Sequence, residues 1–392
     1  MKQPGVIVIG GAVVRRGEDG WHMPARYNQY LSRLADEFER VVFFADLTKS
    51  TSATNVVTDR RIDVVPNPFS SLSLLDKVPE MIRFGAQLRK YLDEIPRVIH
   101  VFPAGKVPFG LASIADSGAT HLTYFKSDWI QWTLNRDGIT APKAAFWFLN
   151  EFAESRLADA MVFRDEEHLK RVRRFASGRV ERACPLLAIR GQGEVSTRYQ
   201  DGAFDDLDRP KLLYVGGLYK PKGLEELAES MGRLARDGRD FTLELVGSAT
   251  GRTSGLPDWL ENALEQHGVI DRVNAYGYVD EPAELATLFA NAHALVLPSH
   301  TEGFPRVVDE AMSFGLPVVC TAVGGIPAQL TNEEDALLVP PRDVEALTGA
   351  LTRLLDDGDL RRKLALGAKA SFDRRNAETA YEQHIRLLRM FD

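Results

Sequence analysis

Cysteine is almost missing from this chain. Two residues, Cys184 and Cys320, stand among 392 positions, far apart and in no metal or redox spacing. That excludes a disulfide scaffold or a cysteine-based zinc module, and both read as reduced core residues. Long apolar runs are missing as well. No stretch approaches the roughly 20 residues that a membrane-spanning helix requires. The first residues, MKQPGVIVIGG, read as an opening strand in place of a signal peptide. The expectation is a cytoplasmic protein, with peripheral contact at the inner face of a membrane left open. No nucleic-acid-binding motif or aromatic platform accompanies the basic residues, so nucleic acid is not expected as a partner. Nor does one sign of charge dominate throughout. Residues 1–190 carry 27 Lys+Arg against 22 Asp+Glu, and the remainder 21 against 33, which divides the overall −7 into +5 and −12. This asymmetry supports two domains with different surfaces and permits, without requiring, contact between the first half and anionic lipid or substrate.

What the chain does have is alternation of short apolar runs with helical patterns, over a length suited to two domains of about 150–200 residues. Val6 to Ile9 ends in Gly10-Gly11 and is followed by a loop and a helical pattern from about Pro24 to Phe38. This resembles the opening of a Rossmann-like unit, where glycine lets backbone approach a ligand, although the same turn occurs in α/β folds without one. VVFFADL, IDVVP, VIHVFP, HLTYF and AMVFR read as further strands, with helices near 76–92, 107–117, 142–158 and 165–176. Together they predict a parallel sheet covered on both faces. The helix at 142–158 carries Phe146, Trp147, Phe148, Leu149 and Phe152, read as a core-packing face in preference to a lipid-binding one. Lys170, Arg171, Arg173 and Arg174 read as a solvated face, with membrane contact as the alternative.

Polar residues 191–209 read as a linker between an N-terminal domain, 1–190, and a C-terminal domain, 210–374. The second domain repeats the alternation: KLLYVGG, a helix at 223–237, FTLELVG, a helix near 257–266, VNAYGYV, a helix near 282–291, ALVLPS, PVVCTAV, ALLVP and a long helix from Val344. A basic connection, KASFDRRN, then leads to an amphipathic terminal helix at about 377–390. Two Rossmann-like domains in tandem place a ligand at the strand carboxyl ends, in a cleft between them.

One stretch carries most of the chemistry: Ser299 to Gly325, SHTEGFPRVVDEAMSFGLPVVCTAVGG. Pro305 suits a first helical turn and Gly315 a stop, predicting a helix from about Pro305 to Phe314. Arg306, Asp309, Glu310 and Ser313 form a polar stripe opposite Val307, Val308, Ala311, Met312 and Phe314, which predicts a face turned to solvent or a cleft. Arg306 and Glu310 could be an exposed i,i+4 ion pair. Yet Arg306 sits in the first turn, where the helix dipole disfavours a cation, and Arg before Glu is the weaker order. An anion at that helix end explains both. The N–H groups near Phe304, Pro305, Arg306 and Val307, with Gly303 before them, make a phosphate site, while Glu302 and Glu310 can accept from sugar hydroxyls.

EGFPRVVDEAMSFGLPVV resembles the E-x7-E segment of family 4 glycosyltransferases, with Glu302 and Glu310 as its carboxylates, between a VLPS strand end and VGGIP. The resemblance covers roughly residues 211–355 closely and the first half in outline. It implies the GT-B fold, two Rossmann-like domains facing each other across a cleft, with the terminal helix crossing back so that 375–392 pack on the N-terminal domain. It implies retaining transfer of a sugar from a nucleotide-diphosphate sugar to a glycan, lipid-linked or small-molecule acceptor, in the cell-envelope and natural-product syntheses typical of the family. No metal and no cofactor beyond the sugar nucleotide is expected. LLYVGGLYKPKGL resembles the family's diphosphate-gripping segment, with Lys222 on its lysine and Gly217 where Arg is usual; Lys220 or Arg306 are the substitutes for that charge. Tyr278 and Val279 fall where backbone meets the nucleobase, and Gly10 and Gly11 where the first domain closes on the donor. VGGIPAQL carries Gln329 where Glu is usual, and ALLVPPRD carries Ala336 and Arg342 where glycines are usual. Glu302 is the expected holder of the donor sugar. Near the HLTYF strand end, Lys126 and Asp128 replace the family's His as acceptor-side candidates, Asp128 serving equally well as a helix cap. Asp206-x-Asp208 and Asp357-x-Asp359 lack the strand context of a metal site. A non-catalytic nucleotide-sugar-binding subunit, to which Gly217 points, and a nucleotide-sugar epimerase are the rival readings.

Overall fold

The computed structural model describes residues 3–47, 55–67, 78–102, 114–125, 141–163, 166–184, 209–249 and 255–391. The chain divides into two compact units, Met1–Leu186 with Glu378–Asp392, and Leu187–Ala377. The expected linker, apart from Arg209, and Asp206-x-Asp208 lie outside the described residues, as does most of the helix expected near 107–117. No helix among the described residues is long and apolar enough to cross a membrane.

Among the described residues nine strands form the sheet of the first unit: β1 Val6–Arg16, β2 Trp21–Met23, β3 Val41–Leu47, β4 Asn55–Val56, β5 Ile62–Pro66, β6 Arg97–Phe102, β7 Thr120–Phe125, β8 Ala160–Phe163 and β9 Arg179–Arg182. Seven of them run parallel in the order β5-β3-β1-β6-β7-β8-β9. Val6–Ile9 and Val41–Ala45 are fully buried, the continuous apolar runs that a doubly covered parallel sheet needs. Helices α1 Ala25–Glu37, α2 Val78–Leu92, α3 Ala141–Leu157 and α4 Glu166–Arg173 connect the strands. The expected two-glycine turn is instead a kink inside β1. Gly10 takes φ 78, the pairing with β3 shifts between Ile9 and Val13, and the strand runs on to pair antiparallel with β2. A glycine at positive φ can place an irregularity in a strand without ending it.

Three of the apolar residues of α3 correct a second expectation, the side chains of Phe146 and Trp147 lying outside what is described. Phe148, Leu149 and Phe152 are 45%, 64% and 42% exposed, whereas Glu151, Glu154 and Ser155 are buried. The sheet side dictates this inversion. Glu154 Oε1 lies 2.5 Å from His100 Nδ1 and 3.1 Å from His121 Nε2, and accepts from Thr123 Oγ1 at 2.6 Å. Glu151 meets His168 Nε2 at 2.7 Å and Arg171 Nη2 at 3.1 Å. Buried imidazoles demand polar partners, and the carboxylate face of α3 supplies them. Burial alone would raise the Glu154 pKa, but the two histidines outweigh it and hold the carboxyl well below its ordinary range.

The chain's terminal helix, Ala380–Arg389, belongs to the first unit and starts at a Thr379/Glu382 capping box. Gln383 accepts from the Cys184 N–H and donates to the Arg182 carbonyl, and His384 lies under Tyr30 and Tyr124. Cys184 and Cys320 are both buried, outside any disulfide.

The second unit is a six-stranded parallel sheet: β10 Lys211–Val215, β11 Thr242–Val246, β12 Val273–Gly277, β13 Ala294–Leu297, β14 Val318–Thr321 and β15 Leu337–Val339. Its order, β12-β11-β10-β13-β14-β15, reverses direction between β10 and β13. Helices α5 Leu224–Arg236, α6 Asp258–Gln266, α7 Pro282–Asn291, α8 Arg306–Ser313, α9 Val344–Asp356 and α10 Gly358–Arg375 complete it. The single long helix expected from Val344 is two, because Asp357 accepts from the Leu360 N–H and caps a new start. The Asp357-x-Asp359 spacing is thus part of a helix start. KASFDRRN is the last part of α10 and not a connection, since Arg375 is held by Asp309 at 3.1 Å.

Candidate active site

Pro305 is the cap of α8, one position outside the predicted start, and Gly315 ends the helix at φ 65 with the Leu316 N–H returning to the Ala311 carbonyl. The polar stripe does not face solvent. Asp309 is 1% and Glu310 5% exposed, and Ser313 is buried. Asp309 is committed to Arg375 of α10 and to Asn376, which caps it, so it anchors α8 while Glu310 occupies the next position of the stripe. Phe304 and Val307 send their side chains into the core, so those two positions can present only backbone, while Arg306 between them is half-buried. The Arg375 guanidinium lies over the Phe304 ring at 5.6 Å.

Lys222 and Glu302 meet. The Lys222 Nζ donates to Glu302 Oε1 at 2.5 Å, and Ser299 Oγ donates to the same oxygen at 2.8 Å. β10 and β13 are adjacent strands, and Lys222 follows the first while Glu302 follows the second. The contact therefore lies at the topological switch point, where chain connections diverge and leave a crevice above the strand ends. Two glycines make it close. Gly223 has φ 68, and a Cβ there would meet the Pro298 carbonyl oxygen at 1.9 Å; this sets the Lys220–Lys222 turn against the end of β13. Gly324 has φ 56, and its Cβ would meet the Glu302 carbonyl oxygen at 1.7 Å, while the Gly325 N–H donates to Gly303. His300 adds a strap, its ring 2.8 Å from Glu226 and its N–H bonded to the Pro221 carbonyl.

Gly217 lies against the Tyr219 ring. A Cβ at this position would lie 2.2 Å from the Tyr219 ring, and the Tyr214 hydroxyl donates to the Gly217 carbonyl at 2.8 Å. Burial, then the nearby Glu302 carboxylate, pushes the Tyr214 phenol well above its ordinary range, so it stays a donor. Lys220 lies 3.2 Å from Glu225 and 5.7 Å from the Trp259 ring centre. Tyr278 is exposed after β12, its hydroxyl 3.3 Å from Asp280, and Val279 packs on the core. Gly10 ends the parallel pairing of β1 with β6, and Gly11 continues β1. Lys126 and Asp128 lie outside the described residues. Ser299, Tyr214, Tyr219, and the His300–Glu226 pair escaped the sequence reading, although VLPS and LYKPKG contain two of them.

Residues 197–371 match the family described as "Glycosyl transferases group 1". Over the whole length, the chain has the GT-B fold. Sucrose-phosphate synthase from Thermosynechococcus elongatus superposes with a TM-score of 0.72 at 20% identity, covering 99% of each chain. In sequence, a glycogen synthase of Mycobacterium tuberculosis is 33% identical over 177 residues, 44% of this chain and 41% of that protein. A D-inositol 3-phosphate glycosyltransferase of Xylanimonas cellulosilytica is 34% identical over 165 residues, 42% of this chain and 38% of that protein. The chain thus spans about two fifths of the length of the curated relatives it matches.

Proposed function

We propose that this chain is a glycosyltransferase that moves a sugar from a nucleotide-diphosphate sugar to an acceptor hydroxyl, with retention of configuration and without a metal ion. The observation that carries this is the Lys222–Glu302 contact at the switch point, just ahead of the α8 start and Glu310. Lys222 and the N–H groups at positions 304 to 307 hold and neutralise the leaving diphosphate. Glu302 holds the donor sugar and steadies the positive charge that develops on it. Glu310 binds the ribose hydroxyls, and backbone at Tyr278 and Val279 faces the base. The departing phosphate takes the acceptor proton, so no side-chain nucleophile is required. The acceptor is a glycan, a lipid-linked sugar or a small molecule. Gly217 by itself does not favour the binding-subunit reading, because the Tyr219 ring takes up the space beside it.

Calorimetric titration of UDP, GDP and ADP into the wild-type chain and Glu310→Ala tests the site. One nucleotide should bind, in EDTA as well as without it, and lose at least about tenfold in affinity, or 1.4 kcal/mol, in the variant. If no nucleotide binds, or the variant binds equally well, the assignment fails. Release of free nucleotide from the matching sugar nucleotide with an acceptor then marks a transferase, and recovery of an isomerised sugar nucleotide an epimerase.

A further inference from the structure

We propose that the outer face of α3, with the adjoining end of α4, is a docking surface for an anionic lipid bilayer. This inference rests on the first unit and stands or falls independently of the donor site. Phe148, Leu149 and Phe152 share the outer face, while Glu151 and Glu154 hold the inner one. The polarity is the reverse of a surface helix on a globular core. Nor are the exposed residues scattered. The Phe148 and Phe152 rings stack at 6.5 Å, and Phe175, just beyond α4, lies 5.6 Å from Phe152 and 6.3 Å from Phe148. A contiguous exposed aromatic cluster marks an interaction surface.

Charge selects the occupant. Arg156 on α3, Lys170 and Arg173 on α4 and Arg174 just after it are exposed. Arg156 Nη1 donates to the Phe175 carbonyl at 3.5 Å, which keeps its guanidinium beside the rings. The Arg171–Glu151 bond joins α4 to α3, so cations and aromatics move as one surface. An apolar protein partner would fit the rings without calling for flanking cations. A bilayer calls for both, with aromatics at the acyl boundary and long basic side chains reaching the phosphates.

The test is co-sedimentation of the full chain with vesicles of phosphatidylcholine alone and with phosphatidylglycerol added. Wild type should sediment only with the anionic vesicles, and less as salt rises. Phe148→Ser/Leu149→Ser/Phe152→Ser and, separately, Arg173→Ala/Arg174→Ala should each weaken binding by at least about tenfold. Unchanged circular-dichroism melting shows that these surface variants fold. No sedimentation of the wild type, or wild-type binding by both variants, overturns the proposal. So does a wild-type dimer in analytical ultracentrifugation that the apolar variant dissociates, an outcome that gives this face to a second copy of the chain.

Discussion

Lys222 Nζ lies 2.5 Å from Glu302 Oε1, although 80 positions separate the two residues in the chain. Each neutralises the other, and on the proposed assignment an anion and a sugar divide them. Lys222→Ala should therefore weaken nucleoside diphosphate binding by about tenfold or more, since it removes a charge-assisted contact. Glu302→Gln should leave binding nearly intact and lower kcat by roughly a hundredfold or more, the scale for losing transition-state charge stabilisation. Calorimetry and steady-state rates separate the two effects. Undiminished nucleotide binding by Lys222→Ala would reduce that lysine to a counterion of Glu302.

Gly324 and Gly238 both sit at positive φ, but only one has neighbours. A Cβ on Gly324 would strike the Glu302 carbonyl oxygen, whereas one on Gly238 meets nothing within 4 Å. Gly238→Ala should cost about 1 kcal/mol from backbone strain alone and keep full activity. Gly324→Ala should cost about 1–3 kcal/mol and also displace Glu302, lowering kcat by at least about tenfold. Thermal melts and rates on both variants check this; equal activity would show that the Gly324 turn does not position the carboxylate.

Restoring the usual Arg at position 217 should fail by itself. The Tyr219 ring fills the space that the new Cβ needs. Gly217→Arg is expected to bind nucleotide less well than wild type, and Gly217→Arg/Tyr219→Ala to bind it at least as well, because the fork can then reach the diphosphate. Calorimetry on the two variants decides. A single substitution that improves binding would mean that Tyr219 swings aside freely.

His384 should make the first unit sensitive to mild acid. Its Nδ1 lies 2.6 Å from the Tyr30 hydroxyl, and burial lowers its pKa from 6.5 to about 3. Between those values the unfolded chain binds a proton that the folded chain does not. Stability present above pH 6.5 is therefore lost as pH falls toward 3, by up to about 1.4 kcal/mol per pH unit. Glu154 acts in the same direction, but only below its ordinary pKa of 4.5. Melting temperature against pH should fall less steeply between 6.5 and 4.5 in His384→Phe than in wild type; parallel curves would show that the ring titrates normally in the fold.

The alternation of apolar runs with helical patterns was enough to place two parallel sheets, because strands buried on both faces must be continuously apolar and their crossovers must be amphipathic. The same local information marked Gly315 as a helix stop and placed Lys222 and Glu302 in one site through resemblance. It misjudged α3. Periodicity finds two faces of a helix, yet the sequence of α3 does not say that His100 and His121, on strands 20 and more positions earlier, will claim Glu154 and turn the aromatics outward. Nor did the polar stripe of α8 announce that Arg375 would bury Asp309.

The sequence by itself determined the class of fold and the order of its main strands and helices, though not β2, β4 or β9, since these depend on neighbours a few positions away. Only the tertiary structure decided that Asp309 is committed to Arg375 and that Phe148, Leu149 and Phe152 of α3 meet solvent. Those outcomes depend on a partner brought from far along the chain, and the pairing of a buried polar group outweighs the local preference of the helix that carries it.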